Sequence, residues 1–242
     1  MRGFLHSIGK YLVSGLAWFS GLLIFIPMGM SVLVLSILIN PKRIDRFIKA
    51  GCRLLLCFLF IRVKVQGGEH FRTKRTCLFM ANHVNLFDGF VFYGHIPHFV
   101  RGVELEDHFH WPFYGWIIRR LGMIPISHTN ARSALKSLQN AKQMLAAGTS
   151  IVILPEGHRT LNGKLGRFRR GAFLLAKEAG VDIIPLALVG AYAINHKGSL
   201  MIRPGKMTLR VGKPVSYHEI KELETEEIAA HIRRQISDLL TQ

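Results

Sequence analysis

Between Lys10 and Lys42 the chain carries no charged residue. An apolar tract of this length exceeds the roughly 20 residues that a membrane-spanning helix needs. Wound as one α-helix it would run to about 46 Å, against a hydrocarbon layer of roughly 30 Å. Such a helix has to tilt, kink or turn back, and Pro27, with Gly21 and Gly29 on either side, offers the place. A cleavable signal peptide has a shorter apolar core with a small-residue cleavage site behind it, and a buried helix of a soluble protein shows a polar face. The tract has neither. A second apolar run, 54–61, is bracketed by Arg53 and Arg62 and is too short to span. A helix over about 44–61 would bear Arg46, Lys49 and Arg53 on a partly basic surface suited to the lipid interface. Residues 1–61 therefore read as an N-terminal membrane-embedded anchor, a long kinked or hairpin helix plus a short interfacial one. Residues 62–242 read as one further domain.

Charge narrows the partners. Lys and Arg number 32 against 15 Asp and Glu, a formal net charge of +17. That balance calls for nucleic acid, an anionic membrane face or phosphorylated substrates. Basic residues flank both ends of the apolar tract, with the heavier cluster (Lys42, Arg43, Arg46, Lys49) on its C-terminal side. This favours a cytoplasmic position for the domain that follows, at a membrane with a reducing face, most simply a bacterial inner membrane. Cys52, Cys57 and Cys77 form no CxxC pair, and their apolar neighbours predict buried, reduced thiols.

From residue 62 the pattern is α/β. Residues 62–66 alternate with period two, while 77–81, 123–126, 150–154 and 183–189 are short apolar runs typical of buried strands. Helical patterns cover about 130–147, 168–179 (ended by Gly180) and 222–240. Strands alternating with helices predict a central sheet with parallel pairs flanked by helices.

Two stretches directly after buried runs carry reactive groups. Asn82, His83 and Asp88 form the first. On one helix a five-residue offset would turn the histidine and aspartate about 140° apart. They meet if the strand ends at Asn82, the chain turns, and Asp88 caps the next helix. A carboxylate on one imidazole nitrogen fixes the tautomer and leaves the other free to take a proton. Such a base requires no serine or cysteine when the substrate brings its own hydroxyl. The second stretch is Pro155, Glu156, Gly157, His158 and Arg159, followed by Lys164, Arg167, Arg169, Arg170 and Lys177 with no acidic residue among them. Basic side chains leading into a helix N-terminus make a phosphate cradle. His95 with His98, and His108 with His110, lack any carboxylate–histidine helix motif, and no metal is expected.

Asn82-His83 with Asp88, followed by Pro155-Glu156-Gly157 with Arg159, resembles the glycerolipid acyltransferase family, specifically the 1-acyl-glycerol-3-phosphate acyltransferases. Gly122-Met123-Ile124-Pro125-Ile126-Ser127-His128 falls where the family's second block belongs, and Ile184-Pro185-Leu186-Ala187-Leu188 where its fourth does. The resemblance covers about 62–215. It implies that His83 acts as general base oriented by Asp88, passing a fatty acyl group from acyl-CoA or acyl carrier protein to the sn-2 hydroxyl of lysophosphatidic acid. Glu156, Gly157, Arg159, Asn82 and His128 would shape the acceptor site. It implies no cofactor beyond the acyl thioester co-substrate, anionic membrane lipids as surroundings, and no nucleic-acid partner.

Two positions depart from the family pattern. His128 stands where an arginine is usual and His158 where a threonine is usual, with Arg119, Arg120 or Arg132 as substitute cations. Both bear on the acceptor rather than the reaction and keep open another lysophospholipid or aminolipid acceptor. A membrane-bound thioesterase, with water in place of the hydroxyl, is the rival of another class. A basic nucleic-acid or membrane-surface protein would leave both motifs unexplained.

Overall fold

The computed structural model describes residues 2–73, 75–127 and 129–242. The uncharged tract forms one continuous helix, α1 (Arg2–Leu38), with Pro27 inside it. The reversal comes after it, so the hairpin is made from two helices: the chain turns and runs back as α2 (Asp45–Phe58). Glycines let the two approach. A Cβ on Gly21 would lie 2.6 Å from Leu59 Cδ2, and one on Gly51 would collide with Met28 Sδ. Ser20 Oγ closes the crossing by donating to Phe58 O at 2.6 Å. On its outer side α1 exposes Tyr11, Leu12, Phe19, Leu23, Ile37 and Leu38. Among the described residues α1 is the one helix long and apolar enough to cross a membrane.

Three expectations for this region are corrected. The helix over 44–61 stops at Phe58; Phe60 takes a positive φ of 58° and Ile61 opens a strand. Lys49 is not on a basic surface. It is buried, 2.8 Å from Asp45 and 2.6 Å from His98 O, because the aspartate one turn earlier supplies a counter-charge inside. Arg53 likewise spends its guanidinium on Gly94 O at 2.6 Å. Cys57 is also exposed rather than buried, facing outward beside Leu54 and Phe58. Cys52 and Cys77 are buried as expected, and burial pushes both thiols up to about 12, which keeps them protonated and inert.

The remaining elements alternate as the pattern predicts. β1 (Ile61–Gln66) is half-buried and alternating, and β2 (Cys77–Ala81) is wholly buried. There follow α3 (Asp88–His95), β3 (Val100–Leu105), α4 (Tyr114–Arg120) and β4 (Ile124–Ile126). Next come α5 (Ala131–Ala146), capped by Asn130 accepting from Ser133 N, then β5 (Ser150–Ile153), α6 (Gly171–Ala179) and β6 (Asp182–Val189). The chain ends with α7 (Ala191–Ile194), β7 (Gly205–Val211), α8 (Tyr217–Ile220) and α9 (Thr225–Thr241), the last entered through a Glu224–Glu227 capping box. The expected helix at 168 begins three residues later, because Arg169 N is taken by Pro155 O at 2.7 Å.

The described strands form one seven-stranded sheet in the order β1-β7-β6-β2-β5-β3-β4. From β6 to β4 every neighbouring pair is parallel; β7 runs antiparallel to β6, and β1 parallel to β7. Both faces are covered, which is why the central strands read as unbroken apolar runs. Successive side chains of β2 point to opposite faces. Phe79 and Ala81 join the core beneath α1, α2 and α3, while Leu78 and Met80 join the core beneath α5, α6 and α9. The helices of residues 1–61 thus share a core with the sheet. The parallel order also brings the C-terminal ends of β2, β5 and β6 to one edge, where α/β proteins gather functional groups.

Asp45 is the acid in a buried cluster: Tyr93 donates to it at 3.0 Å, Arg101 lies 3.9 Å away, and Arg101 donates to the Tyr93 hydroxyl at 2.6 Å. Asp45→Ala would leave Lys49 and Arg101 buried without a counter-charge, at a cost of about 3–5 kcal/mol. The expected outcome is a lower thermal midpoint in detergent, with Asp45→Asn falling between the variant and the unaltered protein.

Candidate active site

The first motif leaves β2 at Ala81. Asn82 continues the ladder with its side chain, its Oδ1 accepting from Leu188 N at 2.7 Å and its Nδ2 donating to Leu188 O at 3.1 Å. Both amide atoms are therefore committed to β6, and Asn82 fixes where the chain leaves the sheet. His83 comes next, and the turn that follows is wound around one oxygen. Asp88 Oδ2 accepts from Val84 N at 2.7 Å, Asn85 N at 2.9 Å and His83 Nδ1 at 2.9 Å.

Asp88 is the first residue of α3, with Phe87 in the cap position, so it does not cap the helix as expected. Its carboxylate reaches backwards, because three N–H groups of the preceding turn are nearer than those of the helix. The carboxylate is essentially buried, whereas the imidazole keeps a quarter of its surface exposed. Since Asp88 Oδ2 only accepts, Nδ1 carries the proton and the Nε2 lone pair is left for chemistry. Asp88 Oδ1 is buried with no hydrogen-bond partner among the described residues. An unmatched oxygen of this kind costs about 1–3 kcal/mol, so the arrangement is held by its surroundings.

The second motif follows β5, the strand beside β2. Glu156 is buried, and its two oxygens bridge two loops: Oε1 accepts from His83 N and Oε2 from Gly166 N, each at 2.7 Å. Thr160 N donates to His83 O at 2.8 Å, so the base is gripped through both its peptide groups. Burial pushes the Glu156 carboxyl above the ordinary glutamate range, partly offset by these two N–H groups and by His83 and His158 nearby. Gly157 has a φ of +73°, a conformation that side-chain-bearing residues rarely adopt. A Cβ on Gly166 would lie 2.8 Å from Glu156 Oε2, so only glycine lets that N–H reach the carboxylate. Arg159 is half-buried, and no hydrogen bond or ion pair engages its guanidinium among the described residues. His158, Lys164, Arg167 and Arg169 are exposed.

The sites expected from sequence thus separate by contact. His83 and Asp88 touch each other, and Glu156 supports His83 through the main chain. Gly157 shapes the turn leading to Arg159. Asn82 is tied to β6. His128 lies outside the described residues. Arg120 ends α4 and lines a cleft with Leu33, Val34 and Ile37 of α1. Three residues escaped sequence reading. Thr160 and Gly166 hold Glu156 and His83, and Asn85, wholly buried, ties the turn to the loop after β6. An asparagine two residues before Phe87 and three before Asp88 is the composition of a side-chain-closed turn, and that signal was available for Asn85.

Glu156→Gln keeps the shape but sets an NH2 group against one of two N–H donors. It should lower kcat by about 10–100-fold with the acceptor KM little changed, because the lost contact positions His83 rather than substrate. Steady-state kinetics with both substrates varied checks the split.

Comparison with known proteins points to one family. A protein-family model described as Acyltransferase matches residues 62–189. A 1-acyl-sn-glycerol-3-phosphate acyltransferase of Chlamydomonas reinhardtii is 31% identical over 64% of this chain and 47% of its own length. The enzyme of that name from Saccharomyces cerevisiae is 26% identical over 88% of this chain and 71% of its own. The chain spans about half the length of the algal relative and of a chloroplast one from Brassica napus. The crystal structure of the 1-acyl-sn-glycerophosphate (LPA) acyltransferase PlsC from Thermotoga maritima superposes with a TM-score of 0.80. It has 25% identity and covers 96% of this chain and 97% of that one. A family match over more than half the chain, on the strands that carry both motifs, makes this protein a member of the acyltransferase family.

Proposed function

We propose that the protein transfers a fatty acyl group from acyl-CoA or acyl carrier protein to the sn-2 hydroxyl of 1-acyl-glycerol-3-phosphate, forming phosphatidic acid. The observation that carries this reading is the His83–Asp88 pair: an imidazole whose Nδ1 is held by a buried carboxylate, leaving Nε2 for chemistry. In the reaction, Nε2 takes the proton of the acceptor hydroxyl as its oxygen attacks the thioester carbonyl. The C–S bond then breaks, and the imidazolium returns the proton to the leaving thiolate. Asp88 stabilises the imidazolium throughout. Arg159, with its guanidinium unengaged at the end of the neighbouring strand, suits the acceptor's phosphate, which a guanidinium grips through two parallel bonds. We assign residues 1–61 to seating the enzyme at a membrane and 62–242 to the chemistry. The exposed face of α1 supports that division, and a lipid acceptor would reach the site from the bilayer.

A second acceptor stays in view on one observation. His158, beside Arg159, is exposed where the family usually has threonine, which favours testing other lysophospholipid headgroups in the same assay.

His83→Ala should lower turnover by about 10²–10⁴-fold while leaving the protein in the membrane fraction. The assay is phosphatidic acid formed from palmitoyl-CoA and lysophosphatidic acid by detergent-purified protein. Retained activity would remove His83 as the base, and free fatty acid released without acceptor would make the enzyme a thioesterase. Arg159→Ala should raise the acceptor KM by roughly 10–100-fold, the worth of a charge-assisted bond, at nearly constant kcat. A loss confined to kcat would contradict the phosphate assignment.

A further inference from the structure

The His83–Asp88 turn is ordered from outside by Asn85, whose side chain makes three hydrogen bonds with no exposure to solvent. Its Oδ1 accepts from Phe87 N at 2.8 Å, and its Nδ2 donates to Ala191 O at 2.8 Å and Asn195 O at 3.0 Å. The turn that carries the base is therefore fastened to the end of α7. Asn195 passes the connection on, its own Nδ2 donating to Ser199 O at 2.9 Å and Met201 O at 3.1 Å. The loop it closes rests on α1. Ser14 Oγ accepts from Ile202 N at 2.9 Å, and Trp18 Nε1 donates to Leu200 O at 2.7 Å. Trp18 also packs on Phe87, the residue before Asp88, with ring centroids 6.0 Å apart. Ser14 is buried and Trp18 partly so, on a helix whose other face is apolar and exposed.

Resting on the proposed role of His83, we propose that Asn85 is a positioning residue for the His83–Asp88 pair, with Ser14 and Trp18 of α1 holding the loop against which Asn85 is braced. The polar groups of α1 then serve the catalytic turn. Two donors of the Asn85 amide meet two main-chain acceptors, and a residue that merely filled space would not need them. The imidazole has one support from Glu156 through its peptide and a second from Asn85 through Asp88. Losing either lets Nε2 drift, and a displacement of about 1 Å is enough to cost on the order of 10²-fold in rate.

The test compares Asn85→Ala, Trp18→Phe and the double variant with the unaltered enzyme and His83→Ala, all as full-length protein in the same detergent. Asn85→Ala should lower kcat by about 100-fold, with both KM values within about twofold. Trp18→Phe keeps the ring on Phe87 and loses only the N–H bond, so it should lower kcat by up to about tenfold. The double variant should be no worse than Asn85→Ala alone, because both act through one path. The second readout needs no substrate: the downfield proton signal of His83 Nδ1–H, absent in His83→Ala, should exchange faster with solvent in both single variants. Additive losses, a rise in KM without loss of kcat, or an unchanged Nδ1–H signal in Asn85→Ala would overturn the proposal. An unaltered enzyme that makes no phosphatidic acid would overturn the acceptor assignment instead, and the proton signal would still decide the positioning role.

Discussion

One oxygen atom organises the catalytic end of this molecule. Asp88 Oδ2 gathers two main-chain N–H groups and the imidazole Nδ1–H, and so converts the six residues between β2 and α3 into a fixed turn. Every other feature of the edge leans on that turn. Glu156 and Thr160 grip the peptide groups of His83 from the β5 side, and Asn85 fastens the turn to the β6 side. The base is thus held between two strand ends that flank its own. A quarter of its side chain stays exposed.

The sheet makes this economical. Because β5, β2 and β6 are neighbours and parallel, three separate stretches of chain deliver their first loop residues to one place without long connections. The carboxylate of Glu156 is buried, and its pair of N–H donors joins the loops that follow β2 and β5. Such a group is worth keeping only where geometry matters more than stability.

Much of this was legible in the residues. The strand runs 77–81, 150–154 and 183–189, the long apolar N-terminal helix, the His83–Asp88 contact and the proximity of both motifs followed from periodicity and from the resemblance of the motifs. What escaped was tertiary in origin. Lys49 turns inward for a reason only partly local: Asp45 lies one turn earlier, but His98 O, 49 residues further along, and Tyr93 complete the buried site. Asp88 looked like a cap because sequence shows the helix start but not the three amides waiting behind it. Asn82 looked like a substrate ligand because its partner, Leu188, is 106 residues away. Strand β7, whose pairing with β1 and β6 closes one side of the sheet, carried a pattern too weak to separate from loop.

The contact between Ser14 and Ile202 joins groups 188 positions apart in the chain. The buried serine and the tryptophan of α1 lack their partners until the loop they hold has been made, most of the domain later in the chain. Long-range pairings of this kind form late. The loop beside the His83–Asp88 turn is therefore fixed only once two stretches of chain far apart in sequence have met.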